Sequence, residues 1–545
     1  MAGSTRAISR RQVLSVPLAA LALGACGRRS DVAAGNGRKL LLRGNGPDPD
    51  SLDPHRARSV EAMVVLHDVF EGLTRLDRHA APVAAAAEAW KISEDGLVYT
   101  FSLRPNLRWS NGDPVVAQDF VAGLRRLVDP ATASQYAQFV DVIVNAGDIV
   151  AGRKPVDSLG VAAPDETTVV IRLAIPAPYL PGLLAYPSCA PLHRASFARL
   201  GDRVARPGEQ VSNGAFVLAE WLQGSFIRAE RNPHYWNNAA NRIDGVKYLQ
   251  IADENAELRA YRAGELHMTA VVPRGQFDWI RDHLKPELHV APQLTTYYYG
   301  FNLDRPLFRD PRLRRALSLV IDRERLANSV LRVGELPAHG WVPPGIFNYA
   351  SQSFDYAASP MPQRIAEARQ LLAAAGYGGD QPLRFELRYN NGEVHTKVAV
   401  AVVSMWKEAL GVDAQLSGVE FKSLLQDIDR RDVDMFRLSW VGDYNDAYTF
   451  LQYLKSDFGI NLPHYRSPEY DALLARASQQ VDAGSRRRIL ESAERLMLAD
   501  HPLIPLYFYV NKHLVKPEVH GWYDNVMNVL YSQDLELVPV NRQVS

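Results

Sequence analysis

Residues 383–411 read LRFELRYNNGEVHTKVAVAVVSMWKEALG, a strand signal followed directly by a helix signal. From 383 to 389 apolar residues alternate with polar ones, which is the period of a half-buried strand. Residues 394–410 then predict a helix that ends at Gly411, with a second strand after it. Strand, helix and strand in this order predict an α/β unit in which helices cover a sheet.

Similar signals lie on both sides of this stretch. Asp310 suits an N-cap and Pro311 a first helical position, and apolar residues follow at helical spacing up to 321. Residues 363–375 predict another helix, and Ser467 with Pro468 opens a further one. Residues 503–510 form an apolar run typical of a buried strand.

Size and charge limit the function classes. The chain has 545 residues, enough for about three structural units at roughly 150 residues each. It is 47% hydrophobic and 22% charged, which is typical of a globular protein. Lys plus Arg and Asp plus Glu both total 61, giving a net charge of +0. A nucleic acid partner is therefore not expected, because such proteins carry a basic excess or a basic face.

The N-terminus has the features of an export signal. Residues 1–26 combine a basic start with an apolar run that is too short to span a bilayer. The ending LGAC at 23–26 resembles a bacterial lipobox, in which Cys26 would be lipidated and become the mature N-terminus. The alternative is an ordinary signal peptide with a chance cysteine. Residues 27–37 are polar and glycine-containing, and they predict a tether between the membrane anchor and the folded body.

Two further features concern export and the remaining cysteine. SRRQVL at 9–14 resembles a twin-arginine motif, although basic residues are common in all such leaders. After lipidation of Cys26, Cys189 would be left alone, and we expect it to be a buried apolar residue rather than a reactive thiol.

Motifs of catalysis and cofactor binding are missing from the sequence. It contains no P-loop, HExxH, GxSxG or paired CxxC motif, and no dinucleotide fingerprint follows a strand. The 14 histidines are scattered without a convincing metal-ligand spacing. We therefore expect no enzyme, no cofactor and no metal site.

Long matches identify a family. The stretches 51–77 (SLDPHRARSVEAMVVLHDVFEGLTRLD) and 84–137 closely resemble the signature of periplasmic oligopeptide-binding proteins of bacterial ABC importers. The resemblance continues through VSNGAFVLAEW (211–221), RNPHYW (231–236), YRAGELHMT (261–269), TTYYYGFN (295–302), HYRSPEYDALLARA (464–477) and YFYVNKHLVKP (507–517). It covers essentially the whole chain after the tether.

The resemblance implies an α/β fold of the two-lobed periplasmic-binding-protein type (type II), with an additional inserted domain. Lobe one would comprise residues 38–70, 196–294 and 511–545. The additional domain would comprise 71–195 and lobe two 295–510. We expect a monomer whose lobes close around a short peptide.

The resemblance also implies how both ends of a peptide are held. Asp443, in the motif WVGDYN at 440–445, would bind the ligand's ammonium group. Arg437 and His395 would receive the carboxylate of peptides of different lengths. From the residues alone, Asp443 could instead be a turn residue, Arg437 a solvent-facing strand residue and His395 a helix cap.

Further cleft residues and several departures from the family pattern follow by the same comparison. The expected cleft lining is Tyr136, Tyr298, Trp440, Tyr509 and Val60, although each aromatic residue could belong to the core. A lysine used for the carboxylate is replaced by Leu331, with Arg332 beside it, which puts the range of peptide lengths in doubt. Arg58 replaces a glutamate and Phe421 a tryptophan, and the positions of a family disulfide are Thr295 and Val441. The first two changes predict a shift toward acidic or less bulky ligand side chains.

The predicted function is that of an extracytoplasmic receptor, lipid-anchored in the periplasm or at the outer cell surface. It would deliver peptides to membrane permease subunits, and the energy would come from separate ATPase subunits. The alternatives are a receptor of the same family for a murein peptide, a sugar or a metal chelate, and a chaperone-like surface lipoprotein.

Overall fold

The computed structural model describes residues 38–379 and 381–539. The strands are β1 (Leu40–Gly44), β2 (Thr74–Leu76), β3 (Pro82–Ala84), β4 (Ala87–Ile92), β5 (Val98–Leu103), β6 (Val161–Ala162), β7 (Thr168–Arg172), β8 (Phe216–Leu222), β9 (Phe226–Arg231), β10 (Gly245–Leu249), β11 (Leu288–Phe301), β12 (Leu336–Pro337), β13 (Arg384–Asn390), β14 (Asp413–Val419), β15 (Met435–Val441), β16 (Leu503–Leu514), β17 (Val519–His520) and β18 (Glu536–Leu537).

The α-helices are α1 (Val60–Val69), α2 (Ala117–Val128), α3 (Ala146–Val150), α4 (Leu180–Leu183), α5 (Arg194–Leu200), α6 (Glu254–Arg262), α7 (Phe277–His283), α8 (Pro306–Arg309), α9 (Pro311–Leu319), α10 (Arg323–Arg325), α11 (Met361–Ala374), α12 (Glu393–Leu410), α13 (Phe421–Asp429), α14 (Tyr448–Leu451), α15 (Pro468–Gln479) and α16 (Ala483–Asp500). Leu326–Leu331 form a π-helix. The predicted signal peptide with Cys26 and the predicted tether lie outside the described residues.

The elements predicted from local signals are present. The Asp310 side chain accepts a hydrogen bond from the Arg312 N–H and caps α9, and Ser467 caps α15 in the same way. Helix α12 ends at Gly411, whose φ of +69° lies in the left-handed region that favours glycine. The predicted helix bounds are confirmed to within two residues, because caps and glycines stop a helix independently of the rest of the fold. The strand predicted over 503–510 is present as β16 and continues four residues further.

Three larger sheets organise the described residues. One is four-stranded with the order β1-β10-β9-β8, and a second has the order β4-β5-β7-β6. The third is six-stranded with the order β12-β16-β11-β15-β13-β14. It mixes parallel and antiparallel pairs, because β13 runs parallel to β14 and β15 while β11 is antiparallel to β15 and β16.

Separate hydrophobic cores accompany these sheets. The core of the β4–β7 sheet takes its residues from 73 to 189. The core of the β1 sheet combines residues from 41–69, 215–268 and 515–535. The largest core lies mostly between residues 294 and 507 and packs on the six-stranded sheet. The predicted domain boundaries stay a prediction, but each predicted unit contains one of these sheets.

Strands β11 and β16 connect the cores. Leu514, at the end of β16, is buried in a small cluster with residues of α6 and α7, while Tyr297 and Leu503 belong to the largest core. The pairing of β11 with β16 is irregular between Pro292 and Thr296 and again between Tyr297 and Tyr298. Two long strands with irregular pairing at the crossing are suited to act as a hinge.

The predicted positions of the family disulfide are cross-strand partners. Thr295 of β11 pairs with Val441 of β15. The next backbone hydrogen bond, from the Gly442 N–H to the Leu294 carbonyl at 2.8 Å, shows that this is a non-hydrogen-bonded pair. These two positions are therefore held together by strand pairing and not by a disulfide.

Candidate functional site

A cavity of about 560 Å³ lies between the sheet that contains β1, with its helices, and the strands β11 and β16, which continue into the six-stranded sheet. One wall includes Val60, at the start of α1, and Tyr136. The crossing strands contribute Gln293 and Asn511, and Asp443 lies at the far side. The cavity volume is within the range of small-ligand sites.

Asp443 presents a carboxylate without a counter-ion. Its backbone N–H donates to Thr449 Oγ1 at 3.1 Å, which fixes the turn after β15. In the described part of the chain, no ion pair or hydrogen bond engages its carboxylate. The side chain is open to the cavity, yet the surrounding protein removes part of its hydration and raises its pKa. A cation entering the cavity would meet an acceptor that nothing else occupies.

Arg437 presents the opposite charge from β15 and is 5% exposed. Its Nη1 donates to Asn390 Oδ1 at 2.9 Å, and Nη2 donates to Tyr509 Oη at 3.2 Å. Its guanidinium carbon lies 4.2 Å from the centre of the Tyr297 ring. Nε is buried without a hydrogen-bond partner, and no carboxylate lies within ion-pair distance among residues 38–379 and 381–539. A buried guanidinium without an anion is costly, so this group is prepared to receive one.

His395 lies beside this guanidinium, in the first turn of α12. Its Nδ1 is 3.4 Å from the Tyr297 hydroxyl, and the two rings are 5.8 Å apart. Burial, followed by the charges of Arg437 and Arg274, lowers the pKa of His395 to about 4. The imidazole is therefore neutral at pH 7, and it would bind a ligand through hydrogen bonding.

Strand alternation divides the predicted site residues between two faces of the six-stranded sheet. Arg437 pairs with Tyr299, and both side chains lie on the face of Tyr297, His395 and Tyr509. Trp440 and Tyr298 are an odd number of positions away, so they point to the other face.

The opposite face belongs to the core. The Tyr298 hydroxyl is 2.5 Å from that of Tyr453, and Tyr298 is 1% exposed. Trp440 donates from Nε1 to the Thr449 carbonyl at 2.8 Å and packs on Tyr453. The structure therefore places Tyr298 in the core and Trp440 against it. Neither lines the 560 Å³ cavity, and Arg437, His395 and Tyr509 do not line it either.

Val60 and Tyr136, the remaining predicted residues, lie on the wall of the cavity. Val60 is 71% exposed and, with Tyr136, lines the cavity near Asp443. The Tyr136 hydroxyl donates to the Arg58 carbonyl at 3.3 Å. Asp443, Tyr136 and Val60 thus lie together along the cavity, and Arg437, His395 and Tyr509 lie together around Tyr297.

The departures from the family pattern have visible consequences. Arg58 Nε lies 3.3 Å from the Asp50 carboxylate, which also accepts the Arg58 N–H. Arg332 forms an ion pair with Asp278 at 2.8 Å, so its guanidinium does not take the place of the lysine expected at position 331. Arg58 therefore gives little support to the predicted shift toward acidic ligand side chains.

Tyr297 and Asn390 are the site residues that the sequence reasoning missed. The Tyr297 ring packs against the Arg437 guanidinium, and its hydroxyl lies beside His395 Nδ1. The Asn390 side chain accepts a hydrogen bond from Arg437. The run of three tyrosines at 297–299 was the available signal. Successive residues of a strand point to opposite faces, so the face of Arg437 would have distinguished Tyr297 from Tyr298.

In the described ranges, no group of three or more His, Cys, Asp or Glu side chains is arranged to hold a metal ion. Within the same ranges, no helix has the length and apolar character that a membrane crossing requires.

The chain has separate cores joined by two long strands and a cavity lined by the unpaired carboxylate of Asp443. This arrangement is that of a two-lobed solute-binding protein. The comparisons agree, since the family model "Bacterial extracellular solute-binding proteins, family 5 Middle" matches residues 81–461. This chain belongs to that family. The predicted family resemblance and two-lobed α/β fold are confirmed.

Individual relatives cover nearly the whole chain. The periplasmic oligopeptide-binding protein OppA of Escherichia coli (strain K12) is 38% identical over 524 residues, which are 95% of this chain and 96% of that protein. The periplasmic murein tripeptide binding protein MppA, in its unliganded open form, has a TM-score of 0.89 at 36% identity, over 93% of this chain and 98% of that one. Haemophilus influenzae OppA in complex with RPPGFSPFR has a TM-score of 0.69 at 36% identity, over 92% and 100% of the two chains. The TM-score is higher for the unliganded open form than for the peptide complex.

Proposed function

We propose that this chain is the extracytoplasmic receptor of an ABC importer and that it captures short peptides by their charged ends. The observation that carries the proposal is the unpaired Asp443 carboxylate and the unpaired Arg437 guanidinium at two ends of one strand and its turn. A free peptide is a zwitterion whose ammonium and carboxylate groups match this pair. The relatives named for oligopeptide and murein tripeptide binding support the same class of ligand.

The spacing of the two groups limits the ligand. Arg437 and Asp443 are six residues apart in the chain, so at most about 20 Å separates their backbones in an extended segment. At about 3.3–3.6 Å per residue, an extended peptide of up to roughly six residues fits between them. Neutral His395 and the Tyr509 hydroxyl would hold the carboxylate of ligands that end at different depths.

Capture would proceed by closure of the lobes about β11 and β16. A peptide bound to Asp443 and to the opposite wall stabilises the closed state by its higher affinity for that state. Burial of the ammonium beside Asp443 then strengthens the ion pair in a lower effective dielectric. The closed receptor would dock on a permease, and separate ATPase subunits would supply the energy.

The remaining parts of the assignment belong to the same proposal. We assign no catalytic role, and we propose a monomer in the periplasm, held at a membrane by a lipid on Cys26. The murein tripeptide relative supports one alternative, a receptor for a cell-wall peptide. Such a ligand would use the same two charged groups.

The test is ligand-dependent stability. The full chain carrying Cys26→Ser, which blocks lipidation, is denatured, refolded to remove carried ligand, and unfolded thermally with di- to hexapeptides. A peptide at 100 times its Kd is expected to stabilise the fold by about 2.7 kcal/mol. Acetylation of the peptide amine or the substitution Asp443→Asn should remove the shift.

Asp429→Asn is the matched control, because Asp429 is an exposed carboxylate at the end of α13 in the same part of the chain. It should leave the shift intact. If no free peptide raises the unfolding temperature of the refolded protein, the assignment to peptides is wrong. Mass spectrometry of the small molecules carried by the native protein would then identify the ligand.

A further inference from the structure

Arg43 is a cation on the wall of the cavity that Asp443 also lines. It lies on β1 and is 7% exposed. Its immediate neighbours line the same cavity: Gly44 follows it in the chain, Met268 is its bridge partner, and the Leu530 carbonyl accepts from its Nη1 at 3.4 Å. Among the described residues that line this cavity, Arg43 is the one lysine or arginine.

The protein engages this guanidinium only in part. Its two hydrogen bonds both come from Nη1, to the Leu530 carbonyl and to Ser532 Oγ, and both are long at 3.4 Å. Within residues 38–379 and 381–539, Nε and Nη2 have no hydrogen-bond partner, and no carboxylate lies within ion-pair distance. A guanidinium in this state keeps donors available for an anion that enters the cavity.

The carboxyl groups of the same lobe do not neutralise Arg43 by contact. Asp68 lies in its surroundings and accepts from the Ser532 N–H at 2.7 Å and from the Ser532 hydroxyl at 2.5 Å. Glu61, in the first turn of α1, and Glu254, at the start of α6, line other parts of the cavity wall. An anion could therefore bind Arg43 without displacing a carboxylate of the described chain.

A single segment of the chain, residues 526–530, connects Arg43 to the position of Asp443. All five of its residues line the cavity. Its first carbonyl accepts from the Leu294 N–H at 3.2 Å, and the Leu294 carbonyl accepts from the residue before Asp443 at 2.8 Å. Its last carbonyl accepts from Arg43. Four chain steps span at most about 14 Å, which an extended peptide covers in about four residues.

His67 lies on the wall beside this position. Its ring meets that of Tyr531 edge-on at 5.3 Å, and Tyr531 stands between the two residues that accept from Arg43. Burial, followed by the charges of Arg43 and Arg75, lowers the pKa of His67 to about 3, so the imidazole is neutral at pH 7. In the described part of the chain its ring nitrogens form no hydrogen bond. It can therefore donate one to a ligand.

We propose that Arg43, with His67 beside it, is an anion subsite that selects peptides with an Asp or Glu side chain among roughly their first four residues. The inference rests on the proposed function and names its substrate class more narrowly. The peptide ammonium binds Asp443, and the acidic side chain accepts from the free N–H groups of Arg43. Guanidinium donors suit this role because they form charge-assisted hydrogen bonds with carboxylates.

The experiment measures peptide affinities by calorimetry on the full chain carrying Cys26→Ser. Alanine pentapeptides carry a single Glu at position 1, 2, 3 or 4, and each is compared with its Gln counterpart. At one position or more, we expect the Glu peptide to bind about tenfold more tightly, because a charge-assisted hydrogen bond replaces a neutral one. Arg43→Gln should abolish this ratio and leave the affinity for the Gln peptides unchanged.

Two further variants separate a local effect from a loss of structure. Arg43→Lys keeps the positive charge at the cavity wall, and it should keep a reduced preference for the Glu peptide. Arg228→Gln is the matched control, because Arg228 lies on β9 of the same sheet, is 3.2 Å from Glu220 and does not line the cavity. It should leave the ratio as in the unsubstituted protein.

The outcomes distinguish this inference from the proposed function. Equal affinities for the Glu and Gln peptides at all four positions, or a preference that persists in Arg43→Gln, would overturn the anion subsite and leave peptide capture intact. If the Arg43→Gln protein does not fold, loss of the preference in Arg228→Gln or its complete absence in a folded Arg43→Lys protein would have the same result. Failure of every pentapeptide to bind the unsubstituted protein would overturn both.

Discussion

Glu494 is a buried carboxyl group whose ionisation is coupled to the stability of the fold. It is fully buried on α16, where one oxygen accepts from the Trp341 and Val342 N–H groups, both at 2.8 Å. The other oxygen accepts from the Tyr349 hydroxyl at 2.6 Å. Burial outweighs these hydrogen bonds and raises the pKa of Glu494 to about 7.

A pH dependence follows from this shift. Below about pH 4.5 Glu494 is protonated in both the folded and unfolded chains, and it contributes no pH dependence. Between pH 4.5 and 7 the unfolded chain ionises first, so stability falls as pH rises, by roughly 3 kcal/mol in total. Urea unfolding at pH 5, 6, 7 and 8 should show a smaller decline for Glu494→Gln than for the wild type.

The exposed residue Glu88 provides the control for this measurement. Glu88→Gln should reproduce the wild-type slope. An unchanged slope in Glu494→Gln would mean that Glu494 ionises normally in the folded protein.

At the same scale, local sequence patterns could not assign the predicted site residues to faces of the sheet. Asp443 and Arg437 were predicted through the family resemblance; Asp443 lines the cavity, and Arg437 is buried on β15 without an anion. Tyr298 was predicted to line the cleft and packs in the core, while its neighbour Tyr297 lies beside Arg437. Neighbouring strand residues point to opposite faces, and the face of β11 depends on its pairing with β15. That pairing joins segments far apart in the sequence, and local patterns do not contain it.

The strands β11 and β15 can be tested as a pair of elements. Thr295→Cys with Val441→Cys places two cysteines at a non-hydrogen-bonded pair, where Cα atoms are about 4.5 Å apart and a disulfide can form. The oxidised protein should be more stable than the reduced one by about 2–4 kcal/mol, because the link closes a long loop in the unfolded chain. Urea unfolding with and without dithiothreitol measures the difference.

The background for this variant is the full chain carrying Cys26→Ser, in which Cys189 is the one native cysteine left. Cys189 is buried, and burial raises its thiol pKa to about 12, so it does not compete. Each single cysteine variant is a control and should show no effect of the reductant. A double variant that fails to form the link in air would contradict the register of β11 and β15.

Helices and strands with strong local signals were predictable, whereas their assembly was not. Asp310, Ser467 and Gly411 mark helix ends because capping and left-handed backbone are properties of one or two residues. The order of the six-stranded sheet brings β16 beside β11 and β12, strands from another part of the chain. The expectation that each lobe is built from separate segments of the chain came from the family resemblance alone.

The whole molecule is expected to become more compact when a ligand binds. The match to an unliganded open form and the hinge strands predict that a bound peptide lowers the radius of gyration, which is about 24 Å for a compact chain of this size. Small-angle X-ray scattering of the refolded protein with and without a saturating peptide measures the change. Asp443→Asn with the same peptide should keep the open value, and an unchanged radius in the wild type would contradict closure.

The unpaired guanidinium of Arg437 also has a consequence for the empty receptor. A buried positive charge held by Asn390, Tyr509 and an aromatic ring attracts any small anion that can enter the cleft. Chloride, acetate or phosphate from the surroundings would therefore occupy this position before a peptide arrives and must leave when it does. The apparent affinity of such a receptor depends on the medium as well as on the peptide, and a change of buffer anion alone would alter the ranking of weak ligands.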